Sequence, residues 1–374
     1  MTDRRDAPVV VVFGGPSAEH DVSVVSGTAI QAALADAGYA VEPTYVDLDG
    51  RWWRLPADHR REERPPAAYD DPAALGATGP ATLFEAVGAL ATRDPTPVVF
   101  IALHGPFGED GTIQAILEAA GLAYTGSGVA ASALGMDKAL FKRMCRGLGL
   151  PVMDWREVRA DRWAADPDGV AGEVTAFASG AGDPRLMVKP ARLGSSVGMT
   201  LVHTPEELPP ALDLAFRYDT LALVETYLPE ARDLEVSIIG NDPAAIEVFG
   251  PGEIVSGHEF YDYEAKYTPG LSETSARAEV PERDRAILRK LARDAYRAIA
   301  AEGFARVDFL VAGERIVLSE INTIPGFTPI SLFPTMPAEG GLGFIDVCER
   351  IIDLAIERHA ARPKARLSAT DLPR

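Results

Sequence analysis

The sequence predicts an α/β (α+β) protein of two or three domains, and three observations carry that expectation. Its 374 residues exceed what one ordinary hydrophobic core organises. Near the start, the apolar run Val9–Phe13 leads into GGPSAEHDVS and then into a helical pattern through Ile30, Ala33, Leu34 and Ala37 that stops at Gly38. Strand, tight turn and helix form the unit of an α/β domain whose strand ends face a ligand. Towards the other end, RVDFLVAGERIVLSEINTIPGFTPISL (306–332) holds two segments of strand-like alternation around Ala312-Gly313-Glu314.

Taken in order, VVVVF is too short for a secretory core and glycines follow it at once, so it reads as a buried strand. Gly14-Gly15 is neither GxGxxG nor a P-loop, and paired glycines commonly just make a turn. Glu19, His20 and Asp21 stand at that turn, where acids are ordinary at a helix start. Residues 48–80 are polar and Pro-rich; DLDGRWWRL reads as a hairpin with an Asp-Gly turn, with Trp52-Trp53 packing an edge. Val98–Leu103 is the next buried strand. It delivers HGPFGEDGT, whose His104 and two acids suit a strand-end ligand site as well as a satisfied loop. A helix through Ile113, Ile116, Leu117 and Ala120 follows and stops at Gly121.

A second unit begins near Gly126-Ser127-Gly128, and Lys138 in its small-residue helix has a surface lysine as its ordinary reading. Leu186–Val188 is a short strand ending in Lys189-Pro190. The loop ARLGSSVGM after it offers Gly194, Ser195, Ser196 and Gly198, whose N–H groups and hydroxyls can converge on an anion. Leu221–Glu225 and Leu234–Ile239 are further buried strands, with Glu225, Glu230, Asp233 and Glu235 around them. GHEFYDYEAKYTPG (257–270) packs three tyrosines and a lysine into a loop of the kind that covers something. Pro281 opens a helix through Ile287, Leu291, Ala295 and Ala298, and Phe344–His359 is the last helix, before a frayed tail.

The hairpin carries the chemistry. A three-residue loop pairs Arg306 with Glu320 and makes Asp308 and Glu320 diagonal neighbours on one face. A loop one residue shorter puts the two carboxylates on opposite faces, so this expectation rests on register. On one face, Asp308, Glu320 and Asn322 form an all-oxygen set suited to magnesium, which takes one or two carboxylates plus substrate phosphates. Arg306 stands beside them, within reach of a phosphoryl group. The alternative is a solvated polar face, for which Leu310, Ile316 and Leu318 are too apolar.

Composition narrows the classes. The net charge of -19 argues against nucleic acid or an anionic membrane as partner, but not against small anions if metals and a few lysines offset it locally. With 47% hydrophobic residues the chain is globular, and no apolar run approaches bilayer-spanning length. Cys145 and Cys348 make neither a disulfide framework nor metal spacing; two structural thiols of a cytosolic protein are expected.

Five stretches, GGPSAEHDVS, LHGPFGEDG, KPARLGSSVG, EFYDYEAKY and RVDFL…SEINTIPGFTPIS, together closely resemble the D-alanine–D-alanine ligases of the ATP-grasp superfamily, in order and over nearly the whole chain. The resemblance implies a three-domain ATP-grasp fold: a Rossmann-like N-terminal domain (1–137), a small central domain (138–226) and a C-terminal domain (227–374), the last two gripping ATP between antiparallel sheets. It implies α- and β-phosphate contacts for Lys138 and Lys189. Adenine and ribose contacts fall to Glu225, the backbone of Tyr227 and Leu228, and Asp233, with Leu310 in the same cofactor pocket. The family more often has glutamate at the Asp233 position, which puts that contact in doubt. Two Mg2+ (or Mn2+) ions are implied at Asp308, Glu320 and Asn322.

The implied reaction joins two D-alanines for peptidoglycan precursor synthesis: one carboxylate takes the γ-phosphoryl group, and the amine of the other displaces phosphate from the acyl phosphate. Glu19 is implied to hold the first ammonium, Arg306 and the Gly326 N–H the oxyanion, and Ser331 and the Leu332 N–H the second carboxylate. His104 counts among the substrate contacts and Lys266 reaches the phosphoryl group. Ser195 and Tyr267 link a closing loop to Glu19. The partners implied are ATP and D-alanine in the cytoplasm, with no nucleic acid and no membrane; a homodimer is left open. Two other readings compete: a D-alanine–D-lactate or D-alanine–D-serine ligase, against which Tyr267 speaks because depsipeptide-forming relatives usually replace it, and a non-catalytic nucleotide-binding regulator, against which the intact lysine and metal positions speak.

Overall fold

The computed structural model describes residues 7–62, 64–180, 183–256 and 272–362, and three sheets organise them. The first has the order β4-β3-β2-β1-β5-β6. Its strands are β1 (Val9–Gly14), β2 (Val41–Val46), β3 (Trp52–Arg54), β4 (Thr78–Ala81), β5 (Val98–Ile101) and β6 (Ala123–Tyr124). The four strands β2-β1-β5-β6 are parallel, whereas β3 and β4 join antiparallel at the edge. β1 is apolar throughout because both its faces are covered. Val9, Val11 and Phe13 pack with residues of α1 (His20–Asp36), while Val10 and Val12 pack with Ile113 and Leu117 on the other side. At the end of β1 the chain must turn tightly: Gly14 has φ +91°, and a Cβ there would lie 2.2 Å from the Val46 carbonyl oxygen.

The second sheet, order β7-β10-β8-β9, is wholly antiparallel and comprises β7 (Trp155–Arg159), β8 (Leu186–Pro190), β9 (Thr200–Val202) and β10 (Leu221–Thr226). Alternation assigns its faces. Val158, Val188, Ala222 and Val224 pack beneath the helices Pro167–Ser179 and Leu208–Ala215, whereas Leu223 and Trp155 meet Ala139 of the helix Lys138–Gly147.

The third sheet, order β13-β12-β11-β14-β15, is also antiparallel: β11 (Arg232–Ile239), β12 (Glu247–Ser256), β13 (Ser272–Ser275), β14 (Phe304–Ala312) and β15 (Arg315–Asn322). One face buries Leu234, Val236, Ala305, Val307 and Phe309 under the helix Glu282–Ala298; the other presents Glu235, Arg306 and Asp308. The last helix, Phe344–Ala361, leaves this sheet. Its Val347, Cys348, Ile351 and Ile352 enter the core beside β1, so the C-terminal segment closes the first sheet. Both cysteines are buried and free. Among the described residues no helix is long and apolar enough to cross a membrane.

The hairpin register differs from the sequence expectation and reaches the same face by another route. Ala312 pairs with Arg315, so the loop is the two residues Gly313-Glu314, not three, and Arg306 opposes Asn322 rather than Glu320. Continued unbroken, that register would set Asp308 against Ser319 and send Glu320 to the far face. Between the Phe309–Leu318 and Asp308–Glu320 pairs the register shifts by one, with Ser319 as the extra residue of a bulge. Asp308 and Glu320 thereby become direct partners instead of diagonal ones.

Candidate active site

On the polar face of β14, Arg306 donates two hydrogen bonds to Asp308, Nε to Oδ1 and a terminal nitrogen to Oδ2, both at 2.7 Å. Asn322 Nδ2 donates to Asp308 Oδ2 at 2.9 Å, and Glu235 Oε2 of the neighbouring strand lies 3.2 Å from Arg306 Nε. Burial works against the guanidinium charge, but Asp308 and Glu235 outweigh it, so Arg306 is a fixed cation. Glu320 Oε2 faces Lys138 Nζ at 3.0 Å, and the same ammonium donates to the Leu193 carbonyl at 2.8 Å. Lys138 is therefore buried, not on the surface as its helix alone suggested. Burial disfavours its charge, yet Glu320 beside it leaves the pKa raised. Lys138 thus ties the loop after β8 to the end of β15. A cleft between them is lined by Glu109, Lys138, Gly194, Glu320 and Asn322.

That loop reaches a second carboxylate. Ser195 donates its hydroxyl to Glu19 Oε1. Ser195 and Ser196 both hold left-handed backbone (φ +51° and +57°), a strain that side-chain-bearing residues adopt where surrounding contacts demand it. Glu19 starts α1 without capping it. The backbone crowds its carboxylate on two sides, since a Cβ on Gly194 would stand 2.8 Å from both oxygens and one on Gly105 2.6 Å from Oε2. Glu19 Oε2 is buried with no hydrogen-bond partner among the described residues. An anionic acceptor so placed suits an ammonium group.

His104 holds the segment after β15 in place. Its Nδ1 lies 3.0 Å from the Ile324 carbonyl and its Nε2 3.0 Å from Ser26 Oγ, which in turn accepts the Phe327 N–H at 3.2 Å. A consistent network has Nδ1–H donating to Ile324 and the serine hydroxyl donating to Nε2. The rings of Phe100, Phe304 and Phe333 pack around Phe327, which fixes the backbone beside Gly326. Gly326 itself abuts Ser331, a Cβ there falling 3.3 Å from Ser331 Oγ. Ser331 accepts the Thr328 N–H at 3.1 Å and precedes the helix Leu332–Glu339, whose first N–H groups make an anion site with the helix dipole. Glu109, buried 3.7 Å from His104 Nδ1, has its carboxyl pushed up to about 7 by burial, with Glu19 adding to the rise against the opposing pull of His104.

The remaining residues form a second group around Glu225. Glu225 Oε1 lies 2.9 Å from Lys189 Nζ and 3.1 Å from Lys142 Nζ, all three buried. Burial pushes the Glu225 carboxyl up, but Lys142 and Lys189 carry it below its ordinary value. Leu228, Leu310, Met153 and Val317 pack into an apolar slab, and Asp233 pairs with Leu310 across the β11–β14 ladder. The Tyr227 N–H is already used, donating to the Arg185 carbonyl at 3.2 Å, and the Arg185 guanidinium sits 4.5 Å over the Tyr227 ring. Lys266 and Tyr267 lie outside the described residues. Sequence reasoning missed Lys142, which falls one helical turn after Lys138 on one face, and left Glu235, two strand positions after Asp233, without a role; both spacings are visible in the chain.

A parallel sheet with a Gly-rich first turn, joined to two antiparallel sheets whose lysines and carboxylates meet in a cleft, defines an ATP-grasp carboxylate–amine ligase. Comparison with known proteins agrees. The profile described as D-ala D-ala ligase N-terminus matches residues 8–127, and that described as D-ala D-ala ligase C-terminus matches residues 144–353. The chain is 39% identical over 369 residues to the D-alanine–D-alanine ligase of Chlorobaculum tepidum, covering 95% of this chain and 98% of that one. Among solved structures, the D-alanine–D-alanine ligase from Coxiella burnetii matches with a TM-score of 0.77 at 31% identity, covering 95% and 96% of the two chains. VanG D-Ala:D-Ser ligase from Enterococcus faecalis matches with a TM-score of 0.77 at 28% identity, covering 93% and 99%. The chain belongs to the D-alanine–D-alanine ligase family.

Proposed function

We propose that this chain joins two D-alanine molecules to D-alanyl-D-alanine with hydrolysis of ATP to ADP and phosphate, in the cytoplasm, as a step of peptidoglycan precursor synthesis. One observation carries the reading: a single loop contacts both Lys138, through the Leu193 carbonyl, and Glu19, through Ser195. A cation fit for phosphate and a carboxylate fit for ammonium are thereby held on one scaffold, as phosphoryl transfer to an amino acid requires.

Lys138 and Lys189 hold the α- and β-phosphates, Glu225 accepts from the adenine amino group, Asp233 takes the ribose, and Leu228 and Leu310 sandwich the base in their apolar slab. Glu19 Oε2 receives the first ammonium and points that D-alanine's carboxylate into the cleft of Lys138, Glu320 and Asn322. The carboxylate oxygen bonds to the γ-phosphorus as the bond to ADP breaks. The second amine then attacks the acyl carbon, and phosphate leaves with that oxygen. Arg306, braced by Asp308 and Glu235, and the Gly326 N–H donate to the oxygen that becomes charged. Ser331 and the Leu332 N–H bind the second carboxylate. On the resemblance alone, Lys266 reaches the phosphoryl group and Tyr267 joins Ser195 and Glu19.

The donor set fits two magnesium ions. Asp308, Glu320 and Asn322 share one face, and both carboxylates now face cationic side chains. Among the described residues no three His, Cys, Asp or Glu side chains form a metal cluster, so phosphate oxygens would complete the shell. Bound there, the ions would neutralise phosphate charge. The test is stoichiometry: ATP and D-alanine should yield ADP, phosphate and dipeptide in equal amounts, and ATP hydrolysis at full rate without dipeptide would sink the reading.

A further inference from the structure

Lys142 has no part in the chemistry above, yet it is the most deeply buried lysine among the described residues, at 0% exposure. It lies on the helix Lys138–Gly147, one turn after Lys138. Its Nζ stands 3.1 Å from Glu225 Oε1, and Lys189 Nζ stands 2.9 Å from the same oxygen. Its other close neighbour is the face of Trp155, 5.8 Å from Nζ to the ring centroid. Lys142 Nζ and Glu225 Oε1 are buried without an aligned hydrogen bond, so charge and not hydrogen-bond geometry holds them together. Among the described residues, two buried ammonium groups therefore serve one buried carboxylate. That is one more cation than neutrality requires, and a buried charge without a counter-charge is costly.

The excess makes sense if one lysine has to leave. We propose that Lys142 is a positioning residue for nucleotide binding: it is the permanent counter-charge of Glu225, and so frees Lys189 to turn from that carboxylate to the phosphates of ATP. The inference rests on the reading of Lys189 and Glu225 as parts of the nucleotide grip. With Lys142 in place, departure of Lys189 leaves a neutral Lys142–Glu225 pair, and the carboxylate stays ionised to accept from the adenine amino group. Without Lys142, departure of Lys189 would strand a buried anion, so Lys189 would be retained at Glu225 and lost to the phosphates. Burial lowers the Lys142 pKa and Glu225 only partly restores it, as expected of a cation present solely for that partner. Lys138 is differently placed, since it faces Glu320 and the Leu193 carbonyl in the phosphate cleft. One helix thus supplies two lysines with separate duties.

The test is equilibrium binding of ATP and of adenosine to the full chain and to Lys142→Met, Glu225→Gln, Lys189→Met and the Lys142→Met/Glu225→Gln double variant. Lys142→Met should weaken ATP about tenfold or more, because it unpairs a buried charge, and should leave adenosine within about twofold. Glu225→Gln should weaken both ligands. The decisive comparison is the double variant with Glu225→Gln alone: a neutral amide needs no counter-charge, so ATP should bind both equally. A further tenfold loss in the double variant, the additivity expected of a merely structural lysine, overturns the proposal; so does parent-like ATP binding by Lys142→Met. If Lys142→Met does not fold, the double-variant comparison still decides. Unchanged ATP binding in both Lys189→Met and Glu225→Gln would instead overturn the nucleotide-grip reading itself.

Discussion

Glu225 and Glu19 are both buried carboxylates at the ends of strand–turn units, but they are partnered in opposite ways. Glu225 has two lysines within 3.1 Å. Glu19 has a serine hydroxyl on one oxygen and, among the described residues, nothing on the other. The first has more than its counter-charge without any ligand, so on the proposed reading a nucleotide would rearrange its partners. The second lacks only a cation, which an amino acid brings with it. On the proposed reading the difference separates two kinds of substrate: ATP would compete for lysines already in use, whereas an ammonium would fill a place that no cation among the described residues takes.

The largest effect should come from the carboxylate between these two regions. Glu320→Gln should cut turnover about a hundredfold, as loss of a residue that would hold the charge-neutralising metal ions does. Its melting temperature should stay within about 4 °C of the parent, since Lys138 keeps the Leu193 carbonyl. Parent-like turnover would remove Glu320 from the site.

Glu19→Gln and Glu225→Gln then set the two regions directly against each other. Loss of a hydrogen bond to a charged group costs about 1.5–3 kcal/mol, so Glu19→Gln should raise the KM for the first D-alanine by about 10–150-fold. It should not lower the melting temperature, because Oε2 is buried without a hydrogen-bond partner among the described residues. Glu225→Gln should instead raise the KM for ATP and lower the melting temperature by several degrees, because it strands two buried ammonium groups. Thermal scans and two-substrate kinetics on both variants check this; the same pattern in both would erase the distinction. Gly194→Ala should act more weakly in the Glu19 direction, raising the D-alanine KM by about tenfold or less while sparing ATP, since its Cβ would press on both Glu19 oxygens.

The smallest effect is a pH dependence next to Glu19. Burial lifts the Glu109 carboxyl from 4.5 to about 7, so between those values the folded chain holds a proton that the unfolded chain releases. The stability from this group is full below about 4.5 and is lost as pH rises through about 7. The parent's melting temperature should therefore fall more between pH 5.5 and pH 8 than that of Glu109→Gln. Parallel profiles would show that Glu109 does not titrate there.

Much of this arrangement was legible in the chain. β1 announces itself because a strand covered on both faces must be apolar throughout, and α1 because Gly38 ends its periodicity. The strands of the hairpin were equally plain, but their register was not. Alternation fixes which residues share a face only between irregularities, and the bulge at Ser319 corrected a loop one residue shorter than expected. Lys138 read as a surface lysine, and Lys142 drew no reading, because burial of a cation depends on a carboxylate distant in sequence, Glu320 or Glu225. The last helix shows an apolar stripe in sequence, yet nothing in that stripe names the first sheet as its partner. The roles of Glu19, Gly326 and Ser331 came from family resemblance; the geometry adds the unpartnered oxygen, the anchored Phe327 backbone and the helix start.

The most direct measurement of the central claim follows one atom. D-alanine labelled with oxygen-18 in its carboxylate should be incubated with ATP and the full chain, and the released phosphate weighed by mass spectrometry. Transfer of the γ-phosphoryl group to that carboxylate, followed by attack of the second amine, predicts one labelled oxygen in each phosphate and one dipeptide for each ADP. Unlabelled phosphate accompanying dipeptide would contradict the acyl-phosphate route.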